Sequence, residues 1–245
     1  MLNLEKIYEA QERIKDVVVN TPLALAPYLS ELCECEIFLK KENLQVTGAF
    51  KIRGAYNKIA SLTKEQHESG VIAASAGNHA QGVALSASKF NTKAIIVMPE
   101  STPLTKVNGV KHYGAEVILH GSNYDEAYGF ALEYANKHSL TFIHPFEDTK
   151  VIAGQGTVAL EILEKCESLD AIIIPVGGGG LIAGMSAAIK AINPKIEVIG
   201  VGACGAPAFR ESYEKKSAVD SKHVRTIADG IAVRDTSEIT LAYAL

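Results

Sequence analysis

The sequence has no excess of basic residues, and this shortage excludes one class of partner. Its 245 residues carry 24 Lys and Arg against 28 Asp and Glu, which gives a net charge of −4. Nucleic-acid-binding domains usually carry a basic excess, so we expect no nucleic acid as a partner. With 21% charged and 47% apolar residues, the composition is that of an ordinary globular chain of one or two domains.

Cysteine is scarce, and its spacing does not suit a metal site. Cys33 and Cys35 form one pair without a second pair, and Cys166 and Cys204 stand alone. A chain of this length buries roughly 70% of its surface on folding, so it needs no disulfide or metal for stability. We therefore expect reduced, mostly buried thiols in a cytoplasmic protein. The sequence also lacks His-Glu-x-x-His and ordered Ser, His and Asp signatures, so zinc and hydrolytic chemistry gain no support.

Long hydrophobic runs are also lacking, apart from one uncharged stretch at residues 171–189. That stretch contains Pro175 and four consecutive glycines, which a lipid-exposed helix would tolerate badly. A buried strand, a glycine turn and a buried helix explain it better. Residues 1–15 are charged and amphipathic, which is not typical of a signal peptide. We therefore expect no membrane association.

Short apolar runs alternate with longer helical patterns along most of the chain. The short runs predict buried parallel strands at 71–74, 94–98, 117–119, 171–174 and 198–201. The longer patterns predict helices near 79–90, 103–113, 124–138, 149–166 and 181–193. Ser122 and Asp148 are suitable N-terminal signals for two of these helices. Alternation of this kind predicts an α/β fold with open, mostly parallel sheets and helices on both faces.

Three motifs that follow one another in the chain carry the candidate chemistry. Residues 48–55 read Gly-Ala-Phe-Lys-Ile-Arg-Gly-Ala, residues 75–82 read Ser-Ala-Gly-Asn-His-Ala-Gln-Gly, and residues 177–181 read Gly-Gly-Gly-Gly-Leu. A lysine can bond to an aldehyde, an Asn-containing turn can read an anion or a phenolate, and glycine amides at a helix start can hold a phosphate. Together these groups are what a protein needs to hold pyridoxal 5′-phosphate.

Each motif also has a plainer interpretation. A lysine at a helix start usually points to water, as Lys51 would on its pattern alone. Ser75 and Asn78 are common helix caps, and a lone histidine such as His79 is more often structural than catalytic. A tight strand-to-helix turn needs one or two glycines, but four in a row exceed what packing requires. No Lys-Ser/Thr follows these glycines, so a nucleotide-binding P-loop is disfavoured.

The ordered set of motifs resembles the fold-type-II pyridoxal-phosphate enzymes, and most of all the threonine/serine dehydratases. The likeness runs from about residue 7 to the C-terminus and includes 98–99, 114–117, 152–157 and 228–230. It implies a small domain at 70–145, inserted into a large domain made of 1–69 and 146–245. The cofactor would lie in the cleft between the two domains, a favoured place for a ligand. The implied reaction converts L-threonine or L-serine to a 2-oxo acid and ammonia.

The resemblance also implies roles for individual residues. Lys51 would bond covalently to the cofactor and later move the Cα proton of the substrate. Phe50 and Gly230 would lie against opposite faces of the cofactor ring, and Asn78 would hydrogen-bond its phenolic oxygen. The phosphate would be held by Gly177, Gly178, Gly179, Gly180 and Leu181. The substrate carboxylate would be bound by Ser75, Gly77, Asn78 and His79.

Two departures from the family limit the choice of chemistry. Related serine racemases carry a serine where this chain has Ala76, so elimination is expected to exceed racemisation. Related enzymes often hold a cation on a Glu after the strand at 198–201, but no carboxylate stands there. No metal is therefore predicted. Another fold-type-II activity, β-replacement or racemisation, stays open as an alternative.

The C-terminus is the third departure. Family catalytic domains continue beyond the position of Leu245, so the C-terminal part of the large domain is expected to be missing. That part supplies the group that meets the cofactor ring nitrogen. A truncated, inactive or merely cofactor-binding chain therefore stays open beside the enzyme hypothesis. A complete family member is expected to be a homo-oligomer.

Overall fold

The structure, a computed structural model, describes residues 2–221 and 223–245. Its helices are α1 (Leu4–Ile14), α2 (Pro27–Cys33), α3 (Lys51–Ile59), α4 (Lys64–Ser69), α5 (Asn78–Lys89), α6 (Leu104–His112), α7 (Tyr124–His138), α8 (Thr149–Leu163), α9 (Gly180–Ile192), α10 (Ala208–Lys215) and α11 (Glu238–Leu241). Its strands are β1 (Leu23–Leu25), β2 (Phe38–Lys40), β3 (Val71–Ala74), β4 (Ala94–Met98), β5 (Glu116–Leu119), β6 (Thr141–Phe142), β7 (Ala171–Pro175) and β8 (Glu197–Val201). Short 3₁₀ helices occur at Glu42–Leu44 and Asp229–Ile231.

The predicted amphipathic N-terminal segment forms α1, which buries Ile7, Ala10 and Ile14 on one face. Met1, its first residue, lies outside the described residues. Among those described, no helix is both long enough and apolar enough to cross a bilayer.

A four-stranded parallel sheet with the strand order β5-β4-β3-β6 confirms the predicted α/β alternation. Its two central strands are apolar on both sides because both sides are covered. Side chains such as Ala73 and Ile96 pack with α5, whereas Ile72 and Ile95 pack with Ala127 and its neighbours on α7. Helices on both faces are thus present around this sheet.

A second parallel sheet contains β7 and β8, in register from Ala171 with Glu197 to Pro175 with Val201. Helices α1, α8 and α9 cover one face, where Ile172 and Ile174 join the largest core. The opposite face is open, and Ile173 is 69% exposed. Among the described residues, helices thus cover one face of this two-stranded sheet.

Besides β7, with its exposed Ile173, two other strands are not buried as predicted. Strand β5 lies at the edge of its sheet, so Glu116 and Leu119 are exposed. Strand β8 exposes Ile199 and Val201, because only two strands form its sheet and only one face is covered. Apolar composition alone does not distinguish a central strand from an edge strand.

Glycines let the central helices of the large core approach one another closely. A methyl group at Gly154 on α8 would collide with the backbone of Arg53 and Gly54 on α3. A methyl group at Gly184 on α9 would collide with the backbone of Ile152 and Gly156 on α8. Helix α8 is therefore a buried scaffold between α3 and α9, with nearly every residue inside the core.

One of the two predicted helix starts agrees with the structure, whereas the other and the predicted burial of the cysteines do not. Asp148 caps α8 through hydrogen bonds from two backbone N–H groups, as predicted. The cap of α7 is Asn123, one residue after the predicted Ser122. The thiols are free, but three are exposed and Cys166 is half-buried, so the prediction of mostly buried thiols is wrong. The exposed cysteines stand at the end of α2, just beyond it and in the loop after β8.

The sequence patterns predict no element at residues 16–69 beyond the helix start at Lys51, whereas the structure has an antiparallel pair of strands there, β1 and β2, and helices α2 to α4. The elements in this part are short, so neither a helical period nor a strand-like alternation of apolar residues is sustained long enough to be recognised. The division into domains at 70 and 146 remains a prediction.

Candidate active site

Lys51 is the first residue of α3, and its side chain is half-buried. The chain enters this helix through Gly48, whose φ of +70° favours glycine. The Lys51 amine donates a hydrogen bond to the carbonyl oxygen of Pro145 at 3.0 Å and lies 5.4 Å from the centre of the Phe50 ring. Burial lowers the pKa of this amine to about 8. The amine is therefore close to the condition in which a lysine is nucleophilic.

A buried charge network holds the helix that carries Lys51. The guanidinium of Arg53 is fully buried and forms two-pronged ion pairs with Glu42 and with Glu161 on α8. Lys40 is also paired with Glu161, so the two cations and two anions neutralise one another. The network joins α3 to α8 and to the 3₁₀ helix that begins at Glu42, and it fixes the position of the Lys51 backbone.

Residues 75–79 form the turn from β3 into α5. The backbone N–H of Gly77 donates to the Ser75 hydroxyl at 3.2 Å, and a methyl group at Gly77 would meet no atom within 4 Å. The Asn78 side chain is exposed and has no hydrogen-bond partner among the described residues. Helix α5 begins at Asn78, so its first N–H groups are available to an anion. Ala76 is half-buried against the core beneath α5.

His79 has a different environment from the rest of this turn. Its side chain is buried, and Nε2 lies 2.8 Å from the carbonyl oxygen of Ile143. A carbonyl only accepts, so Nε2 carries the proton and donates it. Burial, together with the nearby charge of Lys51, lowers the pKa of His79 to about 3 and keeps the ring neutral. The side chain is thus occupied, and only the backbone of His79 remains for a substrate.

Residues 143–147, which we call the crossing segment, lead from the four-stranded sheet to α8. His144 Nδ1 accepts hydrogen bonds from the backbone N–H groups of Phe146 and Glu147, at 3.3 and 2.8 Å. Burial lowers the pKa of His144 to about 4, so this ring is also neutral near pH 7. The Pro145 carbonyl, which accepts from Lys51, thus lies between two backbone sites that imidazole rings hold in place. His79 binds the Ile143 carbonyl before it, and His144 binds the N–H groups of Phe146 and Glu147 after it.

The glycine run at 177–180 joins β7 to α9. None of the backbone N–H groups of residues 177–181 has an acceptor within the part of the chain that the structure describes. These groups lie at the positive end of the α9 dipole, an arrangement suited to a phosphate. The side chain of Leu181 packs against the large core, so only its N–H could face a ligand.

Packing within the protein is sufficient to explain why residues 177–180 are all glycine, without reference to phosphate binding. Methyl groups at Gly178 and Gly180 would collide with Phe146, and one at Gly179 would collide with Phe209 and Thr240. One at Gly177 would lie 2.9 Å from Val233. The interpretation that four glycines exceed the needs of packing is therefore wrong, because the protein itself fills all four positions. The unpaired N–H groups are the feature that indicates an anion.

Gly230 lies in the 3₁₀ helix Asp229–Ile231, and a methyl group there would meet no atom within 4 Å. The next residue, Ile231, lies against Gly177, so this helix adjoins the glycine run. The space beside Gly77 and Gly230 is open, in contrast to the filled space around the glycine run.

Two features near Lys51 were not found from the sequence. Gly82, on α5, lets that helix lie against the start of α3, since a methyl group there would be 3.3 Å from the Lys51 carbonyl. None of the predicted site residues lies in the crossing segment, although its Pro145 carbonyl accepts from the Lys51 amine. Its signal in the sequence is weak: a His-Pro-Phe run directly after a strand, where proline keeps the chain extended.

Comparison with known proteins gives consistent results. The profile of the family described as "Pyridoxal-phosphate dependent enzyme" matches residues 14–245. The chain is 51% identical over 240 residues to the L-threonine ammonia-lyase of Thermotoga maritima, a match that covers 98% of this chain and 60% of that protein. The chain thus spans about 60% of the length of this curated relative.

Solved structures of similar proteins agree over almost the whole chain. The processed form of threonine deaminase isoform 2 from Solanum lycopersicum has a TM-score of 0.93 and 41% identity, covering 99% of this chain and 68% of that one. A serine racemase from maize has a TM-score of 0.95 and 36% identity, covering 98% of this chain and 73% of that one.

Proposed function

The chain belongs to the family of pyridoxal-phosphate-dependent enzymes, and from this premise we propose that it serves an ammonia-lyase reaction on L-threonine or L-serine. The products would be 2-oxobutanoate from threonine, or pyruvate from serine, together with ammonia. The observation that carries the proposal is the Lys51 amine, which is half-buried and has its pKa lowered to about 8. A lysine in this condition can bond to an aldehyde near neutral pH.

The residues present fit the cofactor. The unpaired N–H groups of residues 177–181 would hold its phosphate, and the open space at Gly230 would admit one face of its ring. Phe50, beside the Lys51 amine, would cover the other face, and the free Asn78 amide would hydrogen-bond the phenolic oxygen. When bound, pyridoxal phosphate supplies an electron sink for negative charge on the substrate Cα.

The remaining tasks fall to side chains and amides of this chain. The Ser75 hydroxyl and the first N–H groups of α5, near Gly77, Asn78 and His79, would bind the substrate carboxylate. Lys51, once free, would remove the Cα proton, because its amine is neutral in part of the molecules near its pKa. Loss of the β-hydroxyl as water and hydrolysis of the unsaturated product would then release the 2-oxo acid and ammonia.

The proposal is tested by adding pyridoxal phosphate, recording the near-visible absorbance, reducing with borohydride and mapping the modified peptide. We expect a coloured adduct at Lys51 and none in Lys51→Ala. Lys64→Ala, at a lysine side chain that is 85% exposed, is the matched control and should behave as the wild type. Release of 2-oxo acid from L-threonine and L-serine is assayed on the same samples. A reduced adduct on another lysine of the wild type contradicts the assignment.

Racemisation is a second candidate, supported by the similarity to the maize serine racemase. Ala76 argues against it, because a methyl group cannot return a proton to the second face of Cα. We expect elimination to exceed racemisation in the wild type, and Ala76→Ser to raise exchange of the Cα proton. D-serine as the main product of the wild type would favour the racemase.

The proposal extends to location and assembly. We infer a cytoplasmic protein, supported by the free thiols, and a homo-oligomer, supported by exposed apolar side chains around α2 and β2 such as Tyr28, Leu32 and Leu39. Light scattering combined with size-exclusion chromatography measures the assembly, and a monomer at micromolar concentration contradicts the inference.

A further inference from the structure

The crossing segment places two backbone carbonyls on either side of His144, and each accepts from a different element. Ile143 accepts from His79 on α5, and Pro145 accepts from Lys51 on α3. The N–H of Ile143 also donates to Ile72 on β3 at 2.8 Å. Both hydrogen-bonding groups of Ile143 are thus fixed, and the Pro145 carbonyl lies only two residues further along.

The hydrogen bond to Pro145 orients the Lys51 amine. A neutral amine that donates one N–H to a carbonyl points its lone pair away from that carbonyl, since the groups on nitrogen are tetrahedral. The nucleophilic direction of Lys51 is therefore set by where the Pro145 oxygen lies. A near-attack geometry of this kind contributes to rate without any change in the pKa of the amine.

His79 has the features of a group kept for a hydrogen bond rather than for packing. Nε2 makes the bond to Ile143, while Nδ1 is buried with no partner among the described residues. A buried acceptor without a partner has lost its hydrogen bonds to water without replacement, a cost that an apolar side chain of similar size would avoid. The one bond that the ring does make is directed at the crossing segment.

We propose that His79 is a positioning residue for Lys51: by holding the Ile143 carbonyl it fixes the crossing segment, so that the Pro145 carbonyl directs the Lys51 lone pair. The inference rests on the proposed function in taking Lys51 as the nucleophile. His79 itself touches neither the amine nor the reacting atoms. It acts through the short stretch of backbone from the Ile143 carbonyl across His144 to the Pro145 carbonyl, and the hydrogen bonds from Phe146 and Glu147 to His144 keep that connection rigid.

The test measures the reactivity of Lys51 without the cofactor. Wild type and variants are treated with formaldehyde and cyanoborohydride about one pH unit above the Lys51 pKa, and methylation of each lysine is followed by peptide mass spectrometry. His79→Gln keeps a donor near the Nε2 position, whereas His79→Leu removes it. We expect His79→Leu to slow methylation of Lys51 by about tenfold, and His79→Gln to stay within about threefold of wild type. Lys64, which is exposed, is the internal control and should react equally in all proteins.

A second variant approaches the same connection from the other end. Pro145→Gly keeps the carbonyl and the His79 side chain but frees the backbone, and we expect it to slow methylation of Lys51 as well. If His79→Leu does not unfold cooperatively, Pro145→Gly decides the question. Equal rates in wild type, His79→Leu and Pro145→Gly would overturn the proposal. An equal loss in the Gln and Leu variants would also overturn it, because that result indicates packing.

The outcome is separable from that of the proposed function. Formaldehyde needs no phosphate site, so the expected pattern at Lys51 without any pyridoxal-phosphate adduct would reject the function and retain the positioning role. A pyridoxal-phosphate adduct at Lys51, with a methylation rate that does not depend on His79 or Pro145, would retain the function and reject the positioning role.

Discussion

At the scale of single residues, the charge of Lys51 is a cost to the fold that the proposed chemistry explains. Its folded pKa of about 8 lies below the ordinary value of 10.5, and burial is the cause. Between these two values the unfolded chain holds more protons than the folded one, so the contribution of Lys51 to stability rises with pH across that window. Below pH 8 both states are protonated, and the full cost is present.

Lys51→Met should therefore stabilise the protein, and the gain should depend on pH. We expect an increase of up to about 3 kcal/mol in the free energy of unfolding near pH 7, shrinking as pH rises from about 8 towards 10.5. Urea unfolding at a series of pH values measures it. Lys64→Met, at an exposed lysine, is the control and should show no such trend. A gain that is independent of pH would mean that the folded amine has an ordinary pKa.

Substitutions at two glycines distinguish a glycine that faces the cofactor from a glycine that internal packing requires. A methyl group at Gly230 meets open space, so Gly230→Val should leave unfolding within about 0.5 kcal/mol of wild type. If Gly230 faces the cofactor, affinity for pyridoxal phosphate should still fall by about tenfold or more. The measurements are thermal unfolding without cofactor and a fluorescence titration with it. Gly129→Val on α7, also in open space, is the control for a valine that faces no ligand.

Gly179→Val gives the contrasting result. Its side chain would collide with Phe209 and Thr240, and its φ of +88° strains any other residue. We expect a stability loss of several kcal/mol, about 3 or more, whether or not a phosphate binds. Weak cofactor binding in Gly179→Val would consequently say nothing about the phosphate. Unchanged cofactor binding in Gly230→Val would mean that Gly230 does not face the cofactor.

At the scale of elements, the position of α3 depends on charges that are buried together. Arg53 and Glu161 are 0% and 7% exposed in their side chains, and they join α3 to α8 beside the close contact of Gly54 with Gly154. A buried ion pair adds little net stability, but removing one partner leaves a charge without compensation. The network therefore fixes the position of α3 against α8 more than it adds net stability. A large loss of stability is expected only when one charged partner is removed.

Glu161→Gln should destabilise the protein by about 3–5 kcal/mol, because Arg53 and Lys40 then lose a shared counter-charge. Glu68→Gln breaks an exposed pair with Lys64 one helical turn apart and should cost about 0.5 kcal/mol or less. Urea midpoints of the two variants, measured side by side, provide the comparison. Similar losses in both would contradict the buried, compensated network.

At the scale of the whole molecule, two ion pairs tie helices α6 and α7 to the segment that contains Gly230. Lys106 on α6 pairs with Asp229 at 2.7 Å, and Asp125 on α7 pairs with Arg234. All four side chains are substantially exposed, so each pair contributes at most about 1 kcal/mol and is weakened by salt. Their effect should be local: they hold this segment against helices that follow β4 and β5.

The double variant Asp125→Asn with Asp229→Asn should leave global unfolding within about 1 kcal/mol of wild type. Hydrogen exchange at residues 229–234 should rise severalfold, because those amides lose both attachments. Exchange mass spectrometry at low salt measures it, and high salt should move the wild type towards the variant. Glu214→Gln, which breaks an exposed pair within α10, is the control. Unchanged exchange in the double variant would mean that backbone packing alone holds the segment.

Much of the fold was determined by the sequence itself. The strands β3 and β4 and the helix α7 lie at the predicted residues because uninterrupted apolar runs and sustained helical periods persist in any packed context. The order of the three motifs also predicted the family, which the match over residues 14–245 confirms. Short elements such as β1, β2 and α2 have no sustained period, and their place depends on their neighbours.

What only the tertiary structure decided is which atoms meet. Nothing in the sequence indicates that Pro145 accepts from Lys51, that His79 holds Ile143, or that Phe146 fills the space beside the glycine run. Those contacts join residues that are 94 and 64 positions apart in the chain, for Lys51 and His79 respectively. The sequence determines which chemical groups are present and which local turns they occupy. Their distances, and with them the lowered pKa of Lys51, arise only when separate elements exclude water together.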